Sequence, residues 1–175
     1  MVGKIYARIV SDRLRVVTDS VLMDEQGGFR MGRGCVDQVF AVRQVIEKVI
    51  EKDKVAYAAF VDLEKAYDSV SKDKLWEALK DYGVQGKLLV AIQSLYEDGW
   101  ARVRIGGRES SQLQVRKDVR QGCLLSPWLF NIFIDRMVTE ARKQFYGSVQ
   151  LTTGQLEVLL FADDLVMLSE TEEAL

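Results

Sequence analysis

The chain of 175 residues carries a formal net charge of −2, is 48% apolar and contains no histidine. That apolar share is enough for one cored domain, or one domain plus a lobe, and the charge balance excludes a basic nucleic-acid coat as its overall character. Without histidine there can be no His-based triad, imidazole base or ordinary zinc site, so any chemistry rests on carboxylates, Lys/Arg, hydroxyls and a hard cation.

Taken in order, Ile5, Tyr6, Ile9, Val10, Arg13, Leu14 and Val17 form a helical stripe over about Lys4 to Thr18. The glycine-rich stretch Gln26-Gly27-Gly28-Phe29-Arg30-Met31-Gly32-Arg33-Gly34 reads as an irregular, exposed loop. Its glycines allow positive φ and the close approach of another backbone. A second amphipathic helix runs from Val36 to about Asp53, and the apolar run Val55 to Val61 follows as a strand ending at Asp62. Helices are expected at about Lys72–Asp81, stopped by Gly83, and at about Gly86–Glu97, closed by Gly99. From Ala101 the period becomes two, with a turn at Gly106-Gly107 and a return over Gln112–Val115. This segment holds six cations against Glu109 and Asp118, a surplus that suits either a phosphate backbone or a solvated hairpin face. The single proline, Pro127, marks a first helical turn with Ser126 as N-cap, and that helix runs to about Lys143. Val149–Leu151 and Leu156–Phe161 then lead into an acidic hairpin. Cys35 and Cys123 stand in no ligand spacing and read as reduced, buried thiols of an intracellular protein, nucleus and cytoplasm undistinguished. No apolar run approaches the roughly 20 residues of a membrane span, and no secretory signal opens the chain.

The hairpin is the stretch Leu159-Leu160-Phe161-Ala162-Asp163-Asp164-Leu165-Val166-Met167-Leu168, two apolar runs with acids at the tip. Alone, an Asp-Asp turn is commonplace, because Asp bonds its own backbone. Asp62 at the end of another apolar strand changes the odds: if the strands are neighbours, Asp62, Asp163 and Asp164 converge, and a divalent cation is the usual way to hold such a group. An oxygen-only site suits Mg²⁺, which shares its shell with water and substrate phosphates. Nucleotidyl transfer and metal-assisted phosphodiester hydrolysis are the candidate reactions. A two-carboxylate glycosidase also matches the residue types, although nothing sets its acids on opposite faces of a sugar. The fold class expected from the residues is α+β, a small sheet carrying the acids with helices behind it.

Three stretches carry a resemblance: Phe60-Val61-Asp62-Leu63-Glu64-Lys65-Ala66-Tyr67-Asp68-Ser69-Val70, Val119-Arg120-Gln121-Gly122-Cys123-Leu124-Leu125-Ser126-Pro127, and Phe161-Ala162-Asp163-Asp164. In order and spacing they resemble successive motifs of reverse transcriptases, and Gly28 to Gln38 resembles the fingers signature of the non-LTR retrotransposon branch. Departures are Phe161 where tyrosine is common, Leu124 where many relatives have proline, and Asp118 where glycine is frequent. The resemblance implies a right-hand polymerase palm with partial fingers: residues 1–54 as fingers, 55–175 as palm with 84–118 contributing to the fingers, and the thumb outside the chain. It implies Asp62, Asp163 and Asp164 as catalytic metal ligands for Mg²⁺, with Mn²⁺ as a substitute. Leu63, Tyr67, Gln121 and Gly122 would bind the nucleotide, and Arg30, Arg33, Arg120 and Phe161 the nucleic acid. RNA template, DNA primer and deoxynucleoside triphosphates are the implied partners, along with the rest of a retrotransposon polyprotein. The alternative, from a different class, is an inactive retrotransposon remnant that at most binds RNA weakly.

Overall fold

A computed structural model describes the chain apart from Met1 and residues 98–99, 115–122, 145–146 and 152–153. Among the described residues the order opens with α1 (Val2–Thr18), α2 (Cys35–Glu51), β1 (Tyr57–Val61), α3 (Lys72–Asp81) and α4 (Gly86–Glu97). Four two-residue strands follow: β2 (Trp100–Ala101), β3 (Arg104–Ile105), β4 (Arg108–Glu109) and β5 (Leu113–Gln114). The chain then forms α5 (Ser126–Arg142), β6 (Val149–Leu151), β7 (Gly154–Leu156), β8 (Val158–Phe161) and β9 (Asp164–Ser169). Residues 1–21 and 65–133 make one compact unit, and residues 22–64 and 134–175 another.

The first unit is helical. α4 packs against α1 and α3, and Leu14, Leu75, Leu79, Ile92, Leu129 and Phe130 are sealed from solvent. α3 ends as its glycine requires. Gly83 takes φ 79, its N–H donates to the Lys80 carbonyl at 3.0 Å, and the Val84 N–H donates to Leu79 at 2.9 Å, which is a Schellman closure. Trp128 is buried with a polar handle that needs an acceptor. Its Nε1–H donates to Thr18 Oγ1 at 2.8 Å, while the Thr18 hydroxyl donates to the Leu14 carbonyl at 2.9 Å. The Arg15 guanidinium lies 4.9 Å over the Trp128 ring.

The hairpin of this unit differs from expectation in its return strand. Gly106 and Gly107 do make the turn, at φ 57 and 80, the two positive values of a type I′ turn. Such a tight turn places Ile105 opposite Arg108, so Arg108–Glu109 pairs back at once and Leu113–Gln114 pairs with Trp100–Ala101. Val115 lies outside the described residues. Arg102 and Arg104 both reach Glu109, the first at 3.4 Å, which favours the solvated-face reading for those two cations.

In the second unit a three-stranded antiparallel sheet has the order β1-β9-β8, with β9 central. α2 covers it, Val45 meeting Val149, Leu159 and Leu168. The helix stops in another Schellman closure, this time without glycine: Asp53 takes φ 51, its N–H donates to Ile50 at 3.1 Å and the Lys54 N–H to Val49 at 3.0 Å. Asp tolerates this left-handed position, and the turn delivers the chain into β1. The expected Leu156–Phe161 strand is broken at Glu157, whose carboxylate takes a 2.7 Å hydrogen bond from Arg142 while its carbonyl accepts the Leu168 N–H.

Residues 25–28 are the main correction to the expected topology of this unit. They form a buried strap along β8, where a surface loop was expected. Gln26 bridges Leu160 in parallel, with the Leu160 N–H donating to Glu25 and the Gly27 N–H to Leu160 at 2.8 Å. The strap covers the outer edge of β8, and satisfying that edge is what draws it inside. Arg30 is only 8% exposed and donates to the Met23 carbonyl at 2.7 Å. Arg33 clamps Asp24, donating to its carboxylate at 2.7 Å and to its carbonyl.

Two outcomes follow. Thr18→Val keeps the shape but leaves the Trp128 N–H unpaired in the core, at a cost of about 1–3 kcal/mol. The melting temperature should fall by roughly 3–10 °C, whereas Thr18→Ser should lose less; equal losses would remove the hydrogen bond from the explanation. The Arg33 hydrogen bond, and then its charge, hold the Asp24 carboxyl below its ordinary 3.8. A lowered folded value adds stability that is present above the unfolded value and lost as pH falls through the folded one. Asp24→Asn should therefore be less stable than the parent at neutral pH, by well under about 1 kcal/mol because the pair is exposed. The gap should close as pH falls through the lowered folded value and shrink with salt at pH 7; a gap that persists in acid would show that charge is not its source.

Candidate active site

The acids sit where strands β1 and β9 run out. Val61 is opposite Leu165, so one further step in the register sets Asp62 opposite Asp164. Residues directly opposite in an antiparallel pair share a face, with Cβ atoms roughly 5 Å apart. Both aspartates line a cavity of about 460 Å³ together with Gln38, Val39, Phe60 and Phe161. Asp62 and Asp164 are exposed, and Asp163 is half-buried in the turn between β8 and β9.

That turn has two residues, Ala162 and Asp163, between the paired Phe161 and Asp164. Ala162 has φ 58, the positive first position of a type II′ turn, where glycine is usual. For alanine the left-handed region is strained. The strap holds it there. The Ala162 N–H donates to Gln26 Oε1 at 3.0 Å, the Gly28 N–H donates to the same oxygen at 2.8 Å, and Gln26 Nε2 lies 3.5 Å from the Ala162 carbonyl. Gln26 is entirely buried. At Gly28 a Cβ would stand 2.3 Å from the Ala162 nitrogen, so only glycine fits. Sequence reasoning missed Gln26. The signal was the glycine pair beside it, read as allowing the close approach of another backbone, which at Gly28 is that of the chain's own hairpin.

The other expected site residues divide by unit. Leu63 is half-buried directly after Asp62, and Phe161 is half-buried at the cavity. Tyr67 belongs to the first unit, its ring stacked on Phe130 at 4.4 Å and 13°. Arg30 and Arg33 serve the strap as described. Arg120, Gln121 and Gly122 lie outside the described residues.

For a divalent cation the donors are all carboxylate oxygens, two of them side by side on one sheet face. Among the described residues no three acidic side chains close into a ready-made cation cage. Among the described residues no helix is long and apolar enough to cross a membrane.

Comparison with known proteins bears on this geometry. The family model described as reverse transcriptase (RNA-dependent DNA polymerase) matches residues 1–175. The Pol polyprotein of retrotransposable element R2DM from Drosophila melanogaster is 31% identical over 150 residues, 86% of this chain and 14% of that protein. The RNA-directed DNA polymerase of the mobile element jockey, also from Drosophila melanogaster, is 26% identical over 99% of this chain and 18% of its own length. The chain thus spans less than a fifth of either relative. A telomerase from Candida tropicalis in complex with a telomeric RNA fragment superimposes with a TM-score of 0.70 at 13% identity, covering 94% of this chain and 29% of that one. At that identity the likeness is one of fold, and it agrees with the mixed helix-and-sheet architecture seen here. With the family model matched from end to end, this chain belongs to the reverse transcriptase (RNA-dependent DNA polymerase) family.

Proposed function

We propose that the chain is the palm, with part of the fingers, of an RNA-templated DNA polymerase of a retrotransposon, and that Asp62, Asp163 and Asp164 are its catalytic acids. Residues 55–175 form the palm in this reading, with residues 1–54 and 84–118 belonging to the fingers. The feature that carries it is the β1–β9 ladder, whose last pair, Val61 and Leu165, is followed along the two strands by Asp62 and Asp164, next to a turn that Gln26 braces at Ala162.

The three carboxylates would hold Mg²⁺ together with the triphosphate of the incoming deoxynucleotide. Bound there, the cation would lower the charge on the reacting phosphoryl group and favour ionisation of the primer hydroxyl. The primer 3′ oxygen forms the new bond to the α-phosphorus, the bond to the bridging oxygen of pyrophosphate breaks, and the hydroxyl proton passes to solvent. The chain's own contribution is placement and negative charge, because phosphoryl transfer needs little covalent help. Leu63 and Tyr67 would bear on the incoming sugar, and Gln121 and Gly122 on the nascent pair. Phe161 and Arg120 would meet the template–primer. The rest of the polyprotein supplies the remaining grip on the nucleic acid.

Primer extension on an RNA template with Mg²⁺ tests this in the complete polypeptide that carries the chain. Asp62→Asn and Asp163→Asn should each lower kcat at least about a hundredfold, since even outer-shell losses at metal sites reach that scale. The melting temperature of Asp62→Asn should stay near the parent's, because substitutions at exposed positions change stability by about 0.5 kcal/mol or less. Mg²⁺ should raise the parent's melting temperature by mass action and move Asp163→Asn less. Extension that survives either substitution would remove that acid from the reaction, and no extension by the parent would favour the inactive remnant.

A further inference from the structure

Gln26 plays no part in the chemistry above, yet its side chain holds the backbone unit immediately before Asp163. Resting on the reading of this hairpin as the polymerase site, we propose that Gln26 is a positioning residue, which locks Ala162 in its left-handed setting and thereby aims Asp163.

Several observations converge on this role. A buried primary amide must find partners for both its oxygen and its nitrogen. Here the oxygen takes two N–H donors, from Gly28 and from Ala162, and the nitrogen faces the Ala162 carbonyl. Both peptide groups flanking the Ala162 α-carbon are therefore addressed by one side chain. A flip of either would turn Asp163 away from its present direction. The amide itself is delivered in a set register, because Glu25 and Gly27 on either side of it bond to Leu160 of β8. From α2, Gln38 Nε2 donates to the Glu25 carbonyl at 3.1 Å and holds the strap from outside. Gly28 completes the arrangement by leaving no side chain between strap and turn. A space-filling role would be met as well by methionine or leucine, with no polar group to satisfy. Only a side chain with both donor and acceptor matches the turn. The resulting precision matters because an error near 1 Å at a reacting centre can cost on the order of a hundredfold in rate.

The test compares the parent, Gln26→Met, Gln26→Met with Ala162→Gly, and Asp163→Asn in the complete polypeptide. Amide hydrogen exchange at Ala162 reads the clamp without any activity: Gln26→Met should speed it about tenfold or more as local opening becomes easier. In primer extension the same variant should lose about 10–100-fold in kcat, the usual scale for supporting residues around a metal site. Its KM for the deoxynucleotide should stay within about threefold, as expected when ground-state binding is left intact. Ala162→Gly in that background should recover part of the lost kcat, since glycine takes positive φ without a Cβ penalty although no clamp then fixes it there. A residue that merely filled the core would not be rescued from the turn. Unchanged Ala162 exchange in Gln26→Met would overturn the proposal, and so would a kcat loss that the glycine leaves untouched. If Asp163→Asn extends primers as well as the parent, the reading of the site fails while the exchange result still judges the clamp. Should Gln26→Met not fold, Gly28→Ala disturbs the same contact with Gln26 intact, and slow exchange at Ala162 in that variant would count equally against the clamp.

Discussion

The closest approach that organises the acidic hairpin is between two backbones, the strap at Gly28 and the turn at Ala162. A Cβ on Gly28 would lie 2.3 Å from the Ala162 nitrogen, closer than any real packing allows. From that constraint follow the burial of residues 26–28, the covering of the β8 edge, and the need for a side chain that can satisfy the polar groups trapped between them. Gln26 meets that need. Arg30, Arg33 and Gln38 then fasten the strap from its flanks, which is why cations and amides in this region point inward.

Electrostatics at the sheet end work in the opposite direction. Asp62 and Asp164 are exposed, and two carboxylates a few ångströms apart in water-like surroundings repel by only about 1 kcal/mol. The sheet bears that cost through the β1–β9 ladder, which runs from Tyr57 and Ser169 to Val61 and Leu165 without a break. In the proposed polymerase site, closing a nucleotide over the same acids would lower the local dielectric and raise the repulsion several-fold, and a cation shared with the triphosphate would offset it.

Much of this was legible from residue pattern. The helices Lys72–Asp81 and Gly86–Glu97 have their expected bounds, because a 3.6-residue stripe and a C-terminal glycine are local signals. Reading two apolar runs ending in aspartate needed only one long-range assumption, that the runs are neighbours, and β1 does pair with β9. What escaped is what depends on distant partners. The end of α2 near Asp53 was read correctly, but not that Asp53 itself closes the helix in a position that glycine normally announces. Glu157 breaks a continuous apolar run because Arg142, fifteen positions earlier, bridges it and Glu25. The strap looked like a solvent loop, since glycine and arginine content describes a surface segment and a buried clamp equally well. Charge composition counted Arg30 and Arg33 as available cations, and only the fold reveals that they are bonded to the strap's own carbonyls.

The choice of alanine at the turn also has a physical sense. Glycine would reach φ near 58 freely, but it would reach many other settings as readily, and the residue after it would wander. Alanine costs about 1–2 kcal/mol in this region, and each hydrogen bond from a buried group returns about 1 kcal/mol net. The two sums are of the same size. The turn is therefore held only while the strap is seated, and its strain is compensated by a neighbouring segment instead of being built out of the hairpin. A stiff residue held by an external clamp has one populated setting; a flexible residue without a clamp has several. In the proposed polymerase site, where the acids would meet a phosphate, the first arrangement preserves direction at a small cost in local stability.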